Sequence, residues 1–231
     1  MSKQLETAEE QHASKGITAV PMGRRERAKK EKLRRIMEAA RYLFEAQGFD
    51  KTTTQQIADR ADIGTGTLFL YTESKEDLLV MVFERDMQEQ ATRVFSKTSG
   101  AQPPVDQVCA VFREMMDYHA QDLEISEVLL RTLVMAPVDE HRQSVHAELM
   151  ATIFDGLAQI TLVAQKNGIT PRQLDPGIAA RSMFSCYYLG LVRWLTGQNT
   201  RAAFEERLRL QCAQILDPNG KSFDYEQAVR V

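Results

Sequence analysis

Long apolar runs, paired cysteines and a positive net charge are all missing from this sequence of 231 residues. The longest unbroken apolar run, LLVMVF at 78–83, is far too short to span a bilayer, and residues 1–20 contain no apolar segment typical of a secretory signal. The three cysteines are widely spaced and form no CxxC pair. We therefore expect a cytoplasmic protein with reduced thiols, and the net charge of −3 gives no overall sign of a nucleic-acid binder.

Motifs for cofactors and metals are also missing. A dinucleotide-binding loop requires G-x-G-x-x-G after a strand, whereas the stretch DIGTGTLFLY at 62–71 has Phe69 at the third glycine position. The P-loop pattern G-x-x-x-x-G-K-S/T does not occur. His141 and His146 are five residues apart, so they do not share a helical face as a metal-binding pair does. The sequence predicts no cofactor, no metal and no catalytic residue.

Helical periodicity is what the chain has in abundance. From residue 33 onward apolar residues recur three and four positions apart, and no segment alternates as a strand does. Thr53–Gln56 fits the T-x-x-Q capping box at a helix start, and breaks rich in glycine and proline occur at 98–104 and 166–176. These patterns predict an all-α fold of about nine helices.

Charge divides the chain into unequal parts. Residues 24–35 (RRERAKKEKLRR) hold eight basic side chains against two acidic ones, a net charge of +6, whereas residues 76–231 carry a net charge of −6. A basic run of this kind is either a solvated helix face or an electrostatic footprint for nucleic acid. We predict a disordered tail at 1–22, a basic domain at 23–74, an acidic helical domain at 75–218 and a C-terminal tail at 219–231.

The stretch DIGTGTLFLY also fits the turn of a helix-turn-helix motif. Asp62 tolerates the left-handed conformation that such a turn requires, Ile63 supplies an apolar plug, and Gly64 serves as the N-cap of the next helix. We predict that this second helix spans 65–71, with Leu68 and Phe69 directed partly or wholly inward. The residues predicted to face outward are Thr65, Gly66, Thr67, Leu70 and Tyr71.

Residues 33–79 resemble the DNA-binding domain of the tetracycline-repressor (TetR/AcrR) family. The resemblance is carried by AARYLFEAQGFDKTTTQQIADRADIGTGTLFLYTESKEDLL: a Gly-aromatic pair, Thr-Thr, Ile-Ala, Gly-Thr-Leu-aromatic-x-Tyr and Ser-Lys-Glu-x-Leu. The sequence departs from the family pattern at the turn (Asp62), at the cap (Gly64) and beside the tyrosine (Leu70 and Thr72). The last two departures remove polar or aromatic contacts and leave the base preference open.

The resemblance implies a role for particular residues in DNA binding. Thr53 and Gln55 would contact phosphates, Thr65, Thr67 and Leu70 would face bases, and Tyr71 and Lys75 would hold the DNA backbone. Gly66 would let the helix approach closely. Residues Arg24, Arg25 and Arg27 of the basic run are candidates for a minor-groove arm, because the exposed side of the recognition helix has no Arg, Asn or Gln.

The family's C-terminal domain binds ligands, so the resemblance also implies a pocket between the central helices. Apolar and aromatic stripes at helical spacing are as typical of plain core as of a ligand site, and both readings stay open. The candidate ligand-binding residues are Phe112, Met115, Met116, His119, Phe154, Phe184, Tyr187 and Tyr188. Few of them are charged, which favours a mainly apolar small molecule.

Residues 177–196 are apolar on nearly every side and include small residues, as expected of a helix buried in a two-fold dimer interface. The sequence is therefore interpreted as a homodimeric, ligand-responsive transcriptional repressor that binds a pseudo-palindromic DNA operator and no membrane. Two alternatives remain: an architectural DNA-binding dimer without a ligand, and an all-α enzyme. The residues identify neither the effector nor the operator.

Overall fold

The computed structural model describes residues 23–97, 102–135, 140–221 and 223–224, so the predicted tail at 1–22 lies outside the described part. The described chain is helical and contains no strand, which confirms the predicted all-α class. Its nine helices are α1 (Arg24–Gln47), α2 (Thr54–Arg60), α3 (Thr65–Leu68), α4 (Lys75–Lys97), α5 (Pro104–Ala120), α6 (Leu123–Met135), α7 (Glu140–Lys166), α8 (Pro176–Leu195) and α9 (Arg201–Leu216).

Helix α1 begins at the basic run itself, nine residues before the apolar stripe that indicated it. The early start follows from composition, because Arg, Lys, Glu and Ala are strong helix formers. Arg34 strengthens this segment by pairing with Glu31 at 2.5 Å and with Glu38 at 2.6 Å. The helix ends at Gly48, whose φ of +83° lies in the region that favours glycine.

Helix α4 joins the first three helices to the rest of the chain. Ser74 caps it, with the amide of Asp77 donating to the Ser74 hydroxyl oxygen at 3.0 Å. Every residue from Leu78 to Glu84 is buried. The helix packs against α1, α5, α6 and α7, and the buried apolar residues of both parts of the chain form one continuous cluster. The two predicted domains therefore share a core through α4, and the boundary at residue 74 remains a prediction.

Helix α7 contains a segment, His146–Lys166, whose length and mean hydropathy of 1.3 match those of a membrane span. Length and composition are the only grounds for that match, and a core helix of a globular protein passes the same test. The helix packs closely against α4 and α8, burying Leu149, Ile153 and Leu157. The apolar-run criterion missed this segment because Glu148 and Asp155 interrupt it.

Helices α8 and α9 pack face to face with α5 beside them. Their close approach depends on Gly190, where an added Cβ would lie 2.0 Å from Cε2 of the Phe204 ring. Phe204 is buried and also lies against Tyr187, with ring centroids 5.8 Å apart. The opposite side of α8 leaves Ile178 and Leu189 exposed by 63% and 59%.

The Gly190→Ala variant should be less stable than the wild-type protein. The added methyl group would overlap the Phe204 ring, which is itself packed and has no free space to enter. We expect a loss of about 1–2 kcal/mol in the free energy of unfolding, after allowing for the better helix propensity of alanine. Urea denaturation measures it. Gln159→Ala, at an exposed position of α7, is the control and should change stability little. Equal stability of Gly190→Ala and wild type would contradict the packing argument.

Candidate nucleic-acid interface and internal cavity

The turn between α2 and α3 has the conformation that its residue types predict. Asp62 has φ +53°, and among the described residues it alone combines a side chain with a positive φ. The amide of Ile63 donates to the Ala58 carbonyl at 3.0 Å, which closes the turn. Gly64 follows in extended conformation (φ −72°, ψ 147°) as the N-cap of α3. The predicted left-handed Asp62 and the Gly64 cap are both confirmed.

Helix α3 is shorter than predicted, because the α-helical pattern ends at Leu68 rather than at Tyr71. Beyond it the amides of Leu70 and Tyr71 donate to carbonyls three residues back, those of Thr67 and Leu68. Such tighter turns advance each side chain by about 120° instead of 100°. Tyr71 is buried, which corrects its predicted outward position, while Phe69 is 50% exposed and therefore partly inward, as predicted.

The outward surface of α3 and the turn after it is apolar at its tip. Leu70 is 75% exposed and Phe69 50% exposed, Gly66 is open to solvent, and Thr65 and Thr67 are half-buried. An added Cβ on Gly66 would meet no protein atom within 4 Å. The backbone here is therefore accessible to a large partner, and the surface offers apolar groups and hydroxyls rather than amides or guanidinium groups.

The amino ends of α2 and α3 lie side by side. The Thr65 hydroxyl donates to Oε1 of Gln55 at 2.6 Å, and the Gln55 amide in turn donates to Asp59 at 2.7 Å. Thr53 caps α2 through the predicted capping box with Gln56, which is confirmed. Thr53 and Gln55 are both exposed. Two helix N-termini, each with a partial positive charge, thus face the same side of the molecule.

Basic side chains occur at the start of α1 and at the start of α4. Arg24, Arg25 and Arg27 are exposed on the first turn of α1, so they lie on a helix and not on an extended arm. The Lys75 ammonium group donates to the Phe49 carbonyl at 2.8 Å and lies 4.1 Å from the centre of the Phe49 ring. Lys75 is therefore fixed at the junction of α4 with the first three helices.

A cavity of about 290 Å³ lies among α4, α5, α6, α7 and α8. Its volume is close to the lower end of the range of roughly 300–1,000 Å³ typical of small-molecule sites. The described residues that line it are Phe83, Glu84, Met87, Met115, His119, Leu130, His146, Leu149, Met150, Ile153, Phe184, Tyr187, Tyr188 and Leu191. None of these is a lysine or an arginine.

Five of the eight candidate ligand-binding residues line this cavity: Met115, His119, Phe184, Tyr187 and Tyr188. The other three do not. Phe112 stacks on the Tyr187 ring at 4.8 Å, Phe154 packs edge-on against Phe184 at 5.5 Å, and Met116 lines a separate cleft beside α9. These three side chains belong to the surrounding core, because a helical stripe identifies a buried face but not the neighbour that each position meets.

The sequence interpretation missed the most polar group of the cavity wall, the Glu84 carboxyl. Its side chain is 1% exposed, its Oε1 lies 2.7 Å from Nδ1 of His146, and its Oε2 has no hydrogen-bond partner. The hydroxyl of Tyr187 is likewise buried without a partner. A glutamate directly after the apolar run LLVMVF was the available signal, because a helix buried on every side has no solvent face for it.

His119 is buried between α5 and α6, where its Nδ1 lies 3.1 Å from the Ser126 hydroxyl oxygen. Burial lowers the pKa of His119 from 6.5 to about 4, so the imidazole is neutral near pH 7. Burial also raises the pKa of the thiols of Cys109, Cys186 and Cys212, which keeps them protonated. Across the described residues, no three His, Cys, Asp or Glu side chains are grouped so as to hold a metal ion.

Known proteins resemble this chain in sequence and in fold. Residues 36–82 match the sequence model of the bacterial regulatory proteins of the tetR family. The transcriptional repressor KstR of Rhodococcus jostii is 24% identical over 189 residues, which cover 82% of this chain and 84% of that protein. KstR of Mycobacterium tuberculosis is 22% identical, covering 79% of this chain and 80% of that protein. Several further curated regulators match over only 26% to 50% of their own lengths.

Two solved structures have a similar fold. FadR of Thermus thermophilus, a TetR-family repressor in complex with lauroyl-CoA, gives a TM-score of 0.59 at 23% identity, covering 79% of this chain and 92% of that one. RolR in complex with resorcinol gives 0.62 at 16% identity, covering 88% and 94%. At these identities the likeness establishes the fold alone, with helix-turn-helix and helical C-terminal parts in the same arrangement.

Acid should destabilise the protein through His119. The folded-state pKa of about 4 lies below the ordinary value of 6.5, so this contribution is complete above pH 6.5 and is lost as the pH falls toward 4. Between about pH 7 and about pH 5, the free energy of unfolding should fall by ~2 kcal/mol more in wild type than in His119→Gln. Urea denaturation at both pH values measures it. Ser126→Ala, which keeps the imidazole, should retain the acid loss; an equal loss in His119→Gln would contradict this origin.

Proposed function

This chain belongs to the tetR family of bacterial regulatory proteins, and we propose that it is a cytoplasmic repressor that a small, mainly apolar effector releases from its DNA operator. One observation carries the proposal. Helix α4 begins at the DNA-binding surface with Lys75 and lines the internal cavity with Phe83, Glu84 and Met87. At 1.5 Å per residue, the two sites are about 12 Å apart along one continuous helix.

The proposed DNA surface consists of α3, the start of α2 and the start of α1. Thr53 and Gln55, exposed at the amino end of α2, suit phosphate contacts, because helix N-termini and hydroxyl or amide groups favour anions. Thr65, Thr67 and Leu70 would meet the base edges. The open space around Gly66 supports a close approach of the backbone to DNA.

Base reading by this surface would use few hydrogen bonds. The exposed tip is formed by Leu70 and Phe69, which can contact a thymine methyl but cannot pair with a guanine or adenine edge. Tyr71 is buried, so its ring supports the fold and only its hydroxyl edge is proposed to meet the DNA backbone. We propose that part of the specificity comes from DNA shape, with Arg24, Arg25 and Arg27 adding charge and minor-groove contacts.

The proposed release is a shift between two conformations of a dimer. An effector bound in the cavity changes operator affinity only if it binds one of the two conformations more tightly. Helix α4 is the element that both conformations would place differently, because it is fixed by Lys75 at one end and by the cavity wall in its middle. A ligand that binds tightly but leaves operator affinity unchanged would refute this mechanism.

The proposed homodimer uses the outer side of α8. Residues Ile178, Ser182, Ser185, Leu189 and Val192 follow one another at spacings of four and three, the pattern of a helix seam. Exposure of Ile178 and Leu189 together with small serines between them supports a close contact with a second copy. Helix-turn-helix proteins bind two half-sites as dimers, which agrees with this arrangement.

The two alternative functions are not favoured. An architectural DNA-binding dimer has no need of an internal cavity with buried polar groups, and it would bind DNA with strong salt dependence and no sequence preference. An enzyme is not supported by the relatives, which are transcriptional regulators. Proteins of this fold hold ligands as different as lauroyl-CoA and resorcinol, so the fold leaves the effector of this chain open.

Gly66→Ala tests the DNA surface. The added methyl group meets only open space within the protein, so the free energy of unfolding should stay the same or rise by up to about 1 kcal/mol. Affinity for a DNA fragment from the protein's own upstream region, identified by footprinting, should fall about tenfold, roughly 1.4 kcal/mol. Fluorescence anisotropy measures the affinity. Unchanged affinity with unchanged stability would remove Gly66 from the interface.

Leu189→Arg tests the dimer. Placing a charge in the seam of α8 should convert the protein to a monomer in sedimentation velocity and weaken operator binding at least about tenfold, because two half-sites are then no longer bound together. Leu189 is more than half exposed in one protomer, so the fold itself should be retained. Ala120→Arg, an exposed position at the end of α5, is the matched control. A Leu189→Arg dimer of normal stability would rule out this seam.

A further inference from the structure

The polar atoms of the cavity wall identify the kind of head group that the effector carries. This inference rests on the proposed function, which assigns the cavity to the effector. Three buried side chains of the described lining contribute polar groups: the carboxyl of Glu84, the hydroxyl of Tyr187 and the imidazole of His119. The less buried His146 and Tyr188 also line the cavity. The Glu84 carboxyl and the Tyr187 hydroxyl each have a hydrogen-bonding atom that no protein group fills.

Glu84 contributes an acceptor. Its Oε1 is bound to Nδ1 of His146 at 2.7 Å, whereas Oε2 is buried and has no partner. A buried carboxyl oxygen without a partner is costly, and native proteins retain such groups mostly where a function requires them. The described cavity lining has no lysine or arginine that would accompany a bound anion.

Tyr187 contributes a hydroxyl in a fixed position. Its ring is held on three sides, stacked on Phe112 at 4.8 Å and packed against Phe184 at 5.9 Å and Phe204 at 5.8 Å. The side chain is 1% exposed and the hydroxyl has no partner. Because the ring is held by this packing, the hydroxyl group keeps a fixed position in a residue that lines the cavity.

His119 contributes a second acceptor, and its tautomer follows from the hydrogen bonds. The Ser126 hydroxyl donates its one proton to the His119 carbonyl at 3.1 Å, so it can only accept at the imidazole. Nδ1 of His119 therefore carries the ring proton and donates to Ser126. In the neutral ring, Nε2 is then left with a lone pair.

We propose that the effector is a hydrophobic molecule with a hydrogen-bond-donating head, an amine or a hydroxyl, that donates to Glu84 and contacts the Tyr187 hydroxyl. Its apolar part would lie among Met87, Met115, Leu149 and Ile153. A carboxylate or phosphate head would lie beside the Glu84 carboxyl, and the described lining residues include no lysine or arginine to compensate its charge. The cavity thus differs from one built for an anionic ligand, although the fold is shared with proteins that bind acyl-CoA.

Three probes with one hydrocarbon chain and different heads test the proposal: decylamine, decanol and decanoate. Isothermal titration calorimetry of the full-length protein near pH 7, below the micelle concentrations of the probes, should give an affinity for decylamine and decanol at least about tenfold above that for decanoate. Decanoate binding as tightly as decylamine would overturn the proposal.

Two variants connect the preference to the named atoms. Glu84→Gln keeps the shape of the side chain and removes its charge, so the preference for decylamine over decanoate should shrink about tenfold. Tyr187→Phe keeps the ring and should lower the affinity for decanol several-fold, while the melting temperature stays the same or rises because an unpartnered buried hydroxyl is removed. Glu89→Gln, an exposed carboxyl on the same helix, is the control and should change neither affinity nor preference.

Failure of this proposal and failure of the proposed function give different results. Equal binding of all three probes, unaffected by Glu84→Gln, overturns the head-group proposal but leaves an effector cavity in place. Binding of none of them, with operator DNA still bound, overturns the head-group proposal and the assignment of this cavity together. If Glu84→Gln does not fold, the probe series on the wild-type protein and Tyr187→Phe still decide the outcome.

Discussion

The burial of α4 on every side is the constraint on which the rest of the structure depends. A helix with no solvent face over Leu78–Glu84 has to be enclosed, and α1, α5, α6 and α7 enclose it. The first three helices cannot be held apart from the others, because α1 packs on the same helix that the larger part surrounds. Packed interfaces of this kind change between discrete arrangements rather than bending gradually. The proposed coupling between the cavity and the DNA surface therefore needs no structural element other than α4 and the helices packed against it.

Because α4 is buried around Glu84, the presence of a carboxyl group at this position indicates a functional site. A fold selected for stability alone would place an apolar residue at the end of LLVMVF, because an unpartnered buried carboxyl oxygen costs about 1–3 kcal/mol. Tyr187 repeats the pattern from the opposite wall with a second unpartnered group. Buried polar groups that lack a hydrogen-bond partner break a general rule of protein packing, and such exceptions are typical of functional sites. Among the described buried polar groups without a partner, those of Glu84 and Tyr187 border the same cavity, and this shared position favours a ligand site over an ordinary packing defect.

The sequence predicted features that depend on neighbouring residues and missed those that depend on distant ones. The Thr53–Gln56 capping box, the left-handed Asp62 and the Gly64 cap follow from local backbone chemistry, and the structure has all three. The early end of α3 and the burial of Tyr71 could not be read in this way, because Tyr71 packs into a core that distant residues form.

Helical periodicity in the sequence likewise could not predict which buried residues line the cavity. A stripe at helical spacing places Phe112, Met115 and His119 on a buried face, but only tertiary packing decides that Met115 and His119 border the cavity while Phe112 supports Tyr187 from behind. On the DNA side, a tip made of Leu70 and Phe69 would recognise bases with few directional contacts. Discrimination then depends more on the spacing and angle of two half-sites than on either reading surface alone. For such a protein, a small displacement of α4 would weaken operator binding more than it would in a protein with strong bidentate contacts, because the proposed mechanism assigns control of the half-site spacing to α4.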